Sequence, residues 1–195
     1  PSMESRVINR YEGAEPGPLL ICIGGIHGNE PAGLLAIQEV FRLLDIEKVA
    51  NPGFTYFGSF VGLRGNQRAI ELQQRFVDRD LNRMLMQEEI DRIHGLDPET
   101  WTSEDRECIE LIRTIEEEKA RYNPPLTLIL DLHTTTADGG IFTISADDPL
   151  SSTLGKGLHA PVILGFMEHL KGTTLSYLNR PLDNQFCIVF ESGQH

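Results

Sequence analysis

The run LLICIG (residues 19–24) shows no polar–apolar alternation, and this constrains the fold more than any other feature of the chain. A strand with one wet face alternates. An unbroken apolar run is instead a strand buried on both faces, as in a parallel sheet covered by helices. LTLILDL (126–132) reads as a strong buried strand and FCIVFE (186–191) as another, apolar up to its final Glu191. FTYFGSF (54–60), residues 141–145 and PVILGF (161–166) also read as strands. A helix is expected over about 31–44, with Leu34, Ile37, Phe41 and Leu44 on one face and Pro31 in its first turn. Residues 64–94 read as Arg-rich loop with short helical pieces. Residues 103–122 form the clearest helix, opening Thr-Ser-Glu-Asp and closed by Asn123-Pro124-Pro125. Strands alternating with helices predict one α/β domain over residues 1–195, with a mixed, mainly parallel central sheet and helices on both faces.

Between the first strand and its helix lies GGIHGNEPAG (24–33). Glycine-rich turns in this position often cradle phosphate, which requires G-x-G-x-x-G or a Gly-Lys-Ser/Thr ending. Here the glycines fall at 24, 25 and 28 and no Gly-Lys-Ser/Thr follows. Glu30 also places a carboxylate where the phosphate would bind. Motif mismatch therefore argues strongly against a nucleotide loop.

His27 and Glu30 offer a different chemistry. Both fall just past the carboxyl end of a strand, where function gathers in open α/β sheets. LTLILDLHTTT brings His133 to a second strand end. Two imidazoles and a carboxylate suit Zn²⁺, and three protein ligands leave a position open for water, as in a catalytic site. Asp131 shares a strand face with His133; it either orients that ligand or makes an ordinary strand-end hydrogen bond. The remaining histidines, His94, His159, His169 and His195, read as surface or structural residues. Glu191 ends the strand FCIVFE, as a base for the attacking water or equally as the first residue of an exposed loop. RFVDRDLNR (75–83) sets Arg75, Arg79, Arg83 and Asn82 in an acidic chain. These either clamp a carboxylate or pair with Asp78 and Asp80 on a solvated loop.

Composition narrows the partners. Seventeen basic against 29 acidic residues give a net charge of −12, against nucleic acid or an anionic membrane as partner. No apolar run reaches membrane-spanning length, and PSMESRVINR has no apolar signal core. Cys22, Cys108 and Cys187 have no paired spacing, so free thiols in a reducing cytoplasm are expected, with no thiolate metal site.

Taken in order, GGIHGNEPAG, RFVDRDLNR, LDLHTTT and FESGQ resemble the succinylglutamate desuccinylase/aspartoacylase family of zinc hydrolases, over about residues 21–194. The resemblance implies a zinc-carboxypeptidase-like fold and one zinc per chain, held by His27, Glu30 and His133. It implies Glu191 as general base and acid, Arg75 at the scissile carbonyl, and Asn82 and Arg83 at a substrate carboxylate. Tyr177 and Arg180, in SYLNRPL (176–182), match further substrate-binding residues. The implied reaction deacylates an N-acyl amino acid of N-succinyl or N-acetyl type through a Glu-assisted zinc-bound water. Peptide carboxypeptidase activity and an inactive zinc-binding module are the alternatives. Family members continue past the FESGQ segment into a mostly β domain, so a catalytic domain without that cover is expected, with homo-oligomerisation left open.

Overall fold

The structure, a computed structural model, describes residues 5–135 and 139–194. Its strands are β1 (Val7–Glu12), β2 (Glu15–Gly24), β3 (Phe57–Arg64), β4 (Thr127–Thr135), β5 (Phe142–Ile144), β6 (Val162–Ile163) and β7 (Gln185–Gln194). They form one mixed sheet in the order β1-β3-β2-β4-β7-β5-β6. The central strands β3, β2, β4 and β7 run parallel, while β1 and β5 pair antiparallel at either side of them. The helices are α1 (Ala32–Ala50), α2 (Gln67–Leu72), α3 (Gln87–His94), α4 (Ser103–Tyr122), α5 (Pro149–Lys156) and α6 (Thr174–Leu178). None of these is long and apolar enough to cross a membrane among the described residues.

The apolar run of β2 serves two cores, as its lack of alternation requires. Leu19, Ile21 and Ile23 pack with Val61, Leu63, Ile129 and Cys187 and with Leu111 and Ile115 of α4. Cys22, on the other face, packs with Phe60 and with Ile37 and Phe41 of α1. All three cysteines are buried and free, and burial alone pushes the Cys22 thiol up to about 12. Helix α4 begins at a capping box, in which Asp105 N–H donates to the Thr102 hydroxyl and Thr102 N–H to the Asp105 carboxylate.

Several elements depart from the sequence expectations, among them the unforeseen helices α5 and α6 and a β2 that begins at Glu15. Strand β1 was not foreseen; it is a mostly solvated edge strand, VINRYE, without an apolar face strong enough to announce it. Helix α1 runs six residues past Leu44. The third strand starts three residues later than expected and continues to Arg64, across Gly62, where α1 packs so closely that a Cβ would strike Ile37. PVILGF yields only the two-residue β6.

Register brings three strand ends to one edge: Gly24 of β2 pairs with Leu132 of β4, and His133 of β4 pairs with Glu191 of β7. The turn after β2 depends on its glycines for close approach. Gly25 has a φ of +74°, which turns the chain, and a Cβ on Gly28 would sit 2.0 Å from the Ala69 carbonyl carbon of α2. Gly28→Ala is therefore expected to lower stability by at least about 1–3 kcal/mol in urea denaturation. Gly53→Ala, where the nearest atom would be 3.5 Å away, leaves it unchanged.

Candidate metal centre

His27, Glu30 and His133 converge beyond that edge and present donor atoms within 4.8 Å of one another. All three are buried. Glu30 lies between the two rings: its Oε1 is 3.0 Å from His27 Nδ1 and its Oε2 is 3.2 Å from His133 Nδ1. The same Oε2 accepts the Thr134 N–H at 3.0 Å. Burial works to raise the Glu30 carboxyl, but the bonds from His133, His27 and Thr134 outweigh it and hold the group well below the usual carboxylate range.

The far nitrogen of each ring is tied to a carboxylate. His27 Nε2 lies 3.0 Å from Asp80 Oδ1, and His133 Nε2 lies 2.7 Å from Asp131 Oδ2. Burial pushes both imidazoles down; Asp80 and Glu30 raise His27, and Asp131 and Glu30 raise His133 well above the ordinary histidine value. Burial likewise works to raise Asp80, yet His27, the Asn82 N–H and Arg75 bring it down to about 2. This is the arrangement that fixes the tautomer of a ligating histidine, with Nε2–H donated backward and the Nδ1 lone pair facing forward. Two Nδ1 atoms and a carboxylate, all turned to one point, fit a divalent cation that accepts nitrogen and oxygen donors. On binding, the cation displaces the protons that the rings carry in its absence.

The three groups line a cavity of about 300 Å³ together with Arg75, Asn82, Arg83 and Glu191. Glu191 is half-buried, and its Oε2 is enclosed with no hydrogen-bond partner among the described residues. Burial raises its carboxyl, the nearby His133 charge partly opposes this, and Glu30 and Asp131 add to it. Arg75 Nη1 lies 3.7 Å from Glu30 Oε1, and its Nη2 lies 3.3 Å from Asp80 Oδ2. Asn82 Oδ1 accepts the Thr174 N–H at 3.0 Å, so the amide N–H₂ is the end left to serve a ligand. Arg83 is exposed, with Nη1 donating to Asn82 O at 2.7 Å. Phe142, Ile144, Leu170, Leu175 and Val189 make the apolar wall.

Tyr177 and Arg180, expected at the substrate, do not line this cavity. The Arg180 guanidinium stacks 4.5 Å from the Tyr177 ring and donates through Nε to Tyr177 O. His195 lies outside the described residues. Two contributors escaped the sequence reading. Asp80, in the sequence a partner for arginine, stands behind the cavity against the outer nitrogen of His27. Thr174 bonds both Asn82 and, through its hydroxyl, the Asp131 carboxylate; nothing in its local sequence signals that role. Asp131→Asn is expected to weaken divalent-metal binding by roughly 10- to 100-fold in chelator competition.

Comparison with known proteins gives the fold a lineage. A family model described as the succinylglutamate desuccinylase/aspartoacylase catalytic domain matches residues 16–193. A probable aspartoacylase of Trichodesmium erythraeum is 32% identical over 125 residues, which are 64% of this chain and 38% of that protein. An N-acyl-aromatic-L-amino acid amidohydrolase of Xenopus laevis is 28% identical over 125 residues, covering 64% of this chain and 37% of its own length. The chain thus spans less than two-fifths of these relatives. The crystal structure of succinylglutamate desuccinylase from Chromobacterium violaceum superposes with a TM-score of 0.65 at 18% identity, over 92% of this chain and 56% of that one.

Proposed function

The chain belongs to the succinylglutamate desuccinylase/aspartoacylase family, and from that membership we propose that it carries the hydrolytic centre of a zinc-dependent deacylase acting on N-acyl amino acids. One observation carries this reading: a His₂Glu donor set and an unpartnered half-buried carboxylate, Glu191, face the same cavity. His27, Glu30 and His133 hold the metal. When bound, zinc supplies Lewis acidity, polarising an amide carbonyl and lowering the pKa of water at its open position.

The chain's own groups do the rest. Glu191 takes the proton of the attacking water and later delivers it to the leaving amine nitrogen. Its position opposite His133 in the β4–β7 ladder keeps it one strand away from a metal ligand. The Arg75 guanidinium, beside Glu30, offers N–H donors to the carbonyl oxygen as negative charge builds there. The Asn82 amide and the Arg83 guanidinium take the substrate carboxylate and fix the direction in which the acyl group enters. The substrate is a small N-acyl amino acid of N-acetyl or N-succinyl type.

Glu191→Gln is expected to keep one bound zinc, by metal analysis, while kcat on N-acetyl and N-succinyl amino acids falls at least ~100-fold. Turnover at the parent rate in that variant sinks the mechanism. Because the base works only when ionised and its carboxyl is raised by burial, kcat/KM should fall on acidification. The midpoint lies above the ~4.3 of an ordinary glutamate, and a pH–rate profile of the parent protein reads it. Arg83→Ala is expected to raise KM more than it lowers kcat, since binding a remote carboxylate is shared by ground and transition states.

A further inference from the structure

Residues 73–80 form no regular element, yet this loop and the single 3₁₀ turn after it carry Arg75, Asp80, Asn82 and Arg83. Irregular backbone that must hold side chains in place needs partners for its N–H groups from elsewhere. These come from Glu104, in the first turn of α4, which is fully buried and lines no part of the cavity. Its Oε1 accepts Val77 N–H at 2.7 Å and the Asn66 side-chain amide at 2.8 Å. Its Oε2 accepts Asp78 N–H at 2.8 Å and Arg79 N–H at 3.2 Å. An ionised carboxylate offers about four acceptor directions and no donor, so these four donors saturate it.

The tie is reciprocal at both ends. Asp78 Oδ2 accepts Ser103 N–H, the first amide of α4, at 2.9 Å. Asn66 also caps α2 through Ala69 N–H, and Gly28 N–H donates to Arg75 O at 3.3 Å. Glu104 therefore joins three segments that meet at the metal centre: the cap of α2, the arginine-bearing loop, and through that loop the turn holding His27.

We propose that Glu104 is a positioning residue, which holds the backbone of residues 77–79 and so sets where Arg75, Asp80, Asn82 and Arg83 stand against the His27–Glu30–His133 triad. The part concerning turnover rests on the deacylase reading above; the part concerning metal does not. Glutamine at this position would turn an N–H₂ toward two backbone N–H donors and break half of the clamp.

The test compares Glu104→Gln, Asp78→Ala and Glu118→Gln with the parent protein. Glu118 is a buried carboxylate at the far end of α4 that pairs with Arg10, so it controls for loss of a buried charge on the same helix. In folded Glu104→Gln, kcat/KM on N-acyl amino acids should fall about 100-fold. Zinc affinity in chelator competition should weaken about 10-fold because Asp80 no longer backs His27 squarely. The amides of residues 77–79 should lose hydrogen-exchange protection. Asp78→Ala, at an exposed site that tolerates truncation, should move all three readouts the same way by a smaller factor. Glu118→Gln should lower the melting temperature and leave them unchanged. If Glu104→Gln does not fold, Asp78→Ala decides. Parental kcat/KM, zinc affinity and amide protection in the folded variants overturn the proposal. A parent without turnover on any such substrate defeats the deacylase reading alone, and the zinc and exchange readouts still decide the role of Glu104.

Discussion

The buried carboxylate of Glu30 is the interaction on which the rest of this structure depends. A charge taken out of water is costly unless surrounding groups complete its hydrogen bonds. Glu30 has two imidazole nitrogens and a backbone N–H at its oxygens. Those partners come from the β2–α1 turn and from the end of β4. The carboxylate therefore joins two strands at their ends as well as facing the point on which the two rings converge. Behind it stand Asp80 and Asp131, which brace the outer nitrogens of the same two rings. Three carboxylates about two histidines make a markedly anionic setting, which the two imidazoles and the Arg75 guanidinium balance. The same contacts that fix the geometry of the centre turn its donor atoms to one point.

A second buried carboxylate organises the opposite flank. Glu104 does for the loop at 77–79 what Glu30 does for the strand ends, drawing separate backbone segments to one point by accepting their N–H groups. The cavity is accordingly built from two kinds of support. His133 and Glu191 stand on adjacent strands of a parallel ladder. Arg75, Asn82 and Arg83 stand on irregular chain whose position is borrowed from α4.

Much of this was legible in the sequence, and the reasons are physical. The apolar-rich runs at 19–24, 126–132 and 186–191 read as strands buried in a parallel sheet, and residues just past such strands share an edge. His27, Glu30, His133 and Glu191 could therefore be grouped before any coordinates. Helix α4 declared both its ends through Thr102 and Asn123. Helix α1 was cut short because Leu43, Ile46 and Val49 lie outside its core-facing stripe and are exposed, so periodicity did not extend through them. Strand β1 has only a weak apolar face, with Val7, Ile8 and Tyr11 partly buried against the cores. The roles of Asp80, Thr174 and Glu104 were illegible for another reason. Each acts through contacts between residues separated by 25 or more positions in the chain, and local pattern carries no trace of those pairings.

The pairing of His133 with Glu191 across β4 and β7 has one more consequence. The backbones that carry His133 and Glu191 are held at the spacing of neighbouring strands in a sheet, about 4.8 Å. No side-chain rearrangement changes that backbone spacing. That distance survives intact until the ladder itself parts, whereas the loop-borne arginines depend on a handful of bonds to one helix. Under mild denaturation the loop-borne arginines should therefore leave the cavity before His133 and Glu191 part from each other. The durability of the strand-borne half of the cavity and that of its loop-borne half are thus two separate quantities.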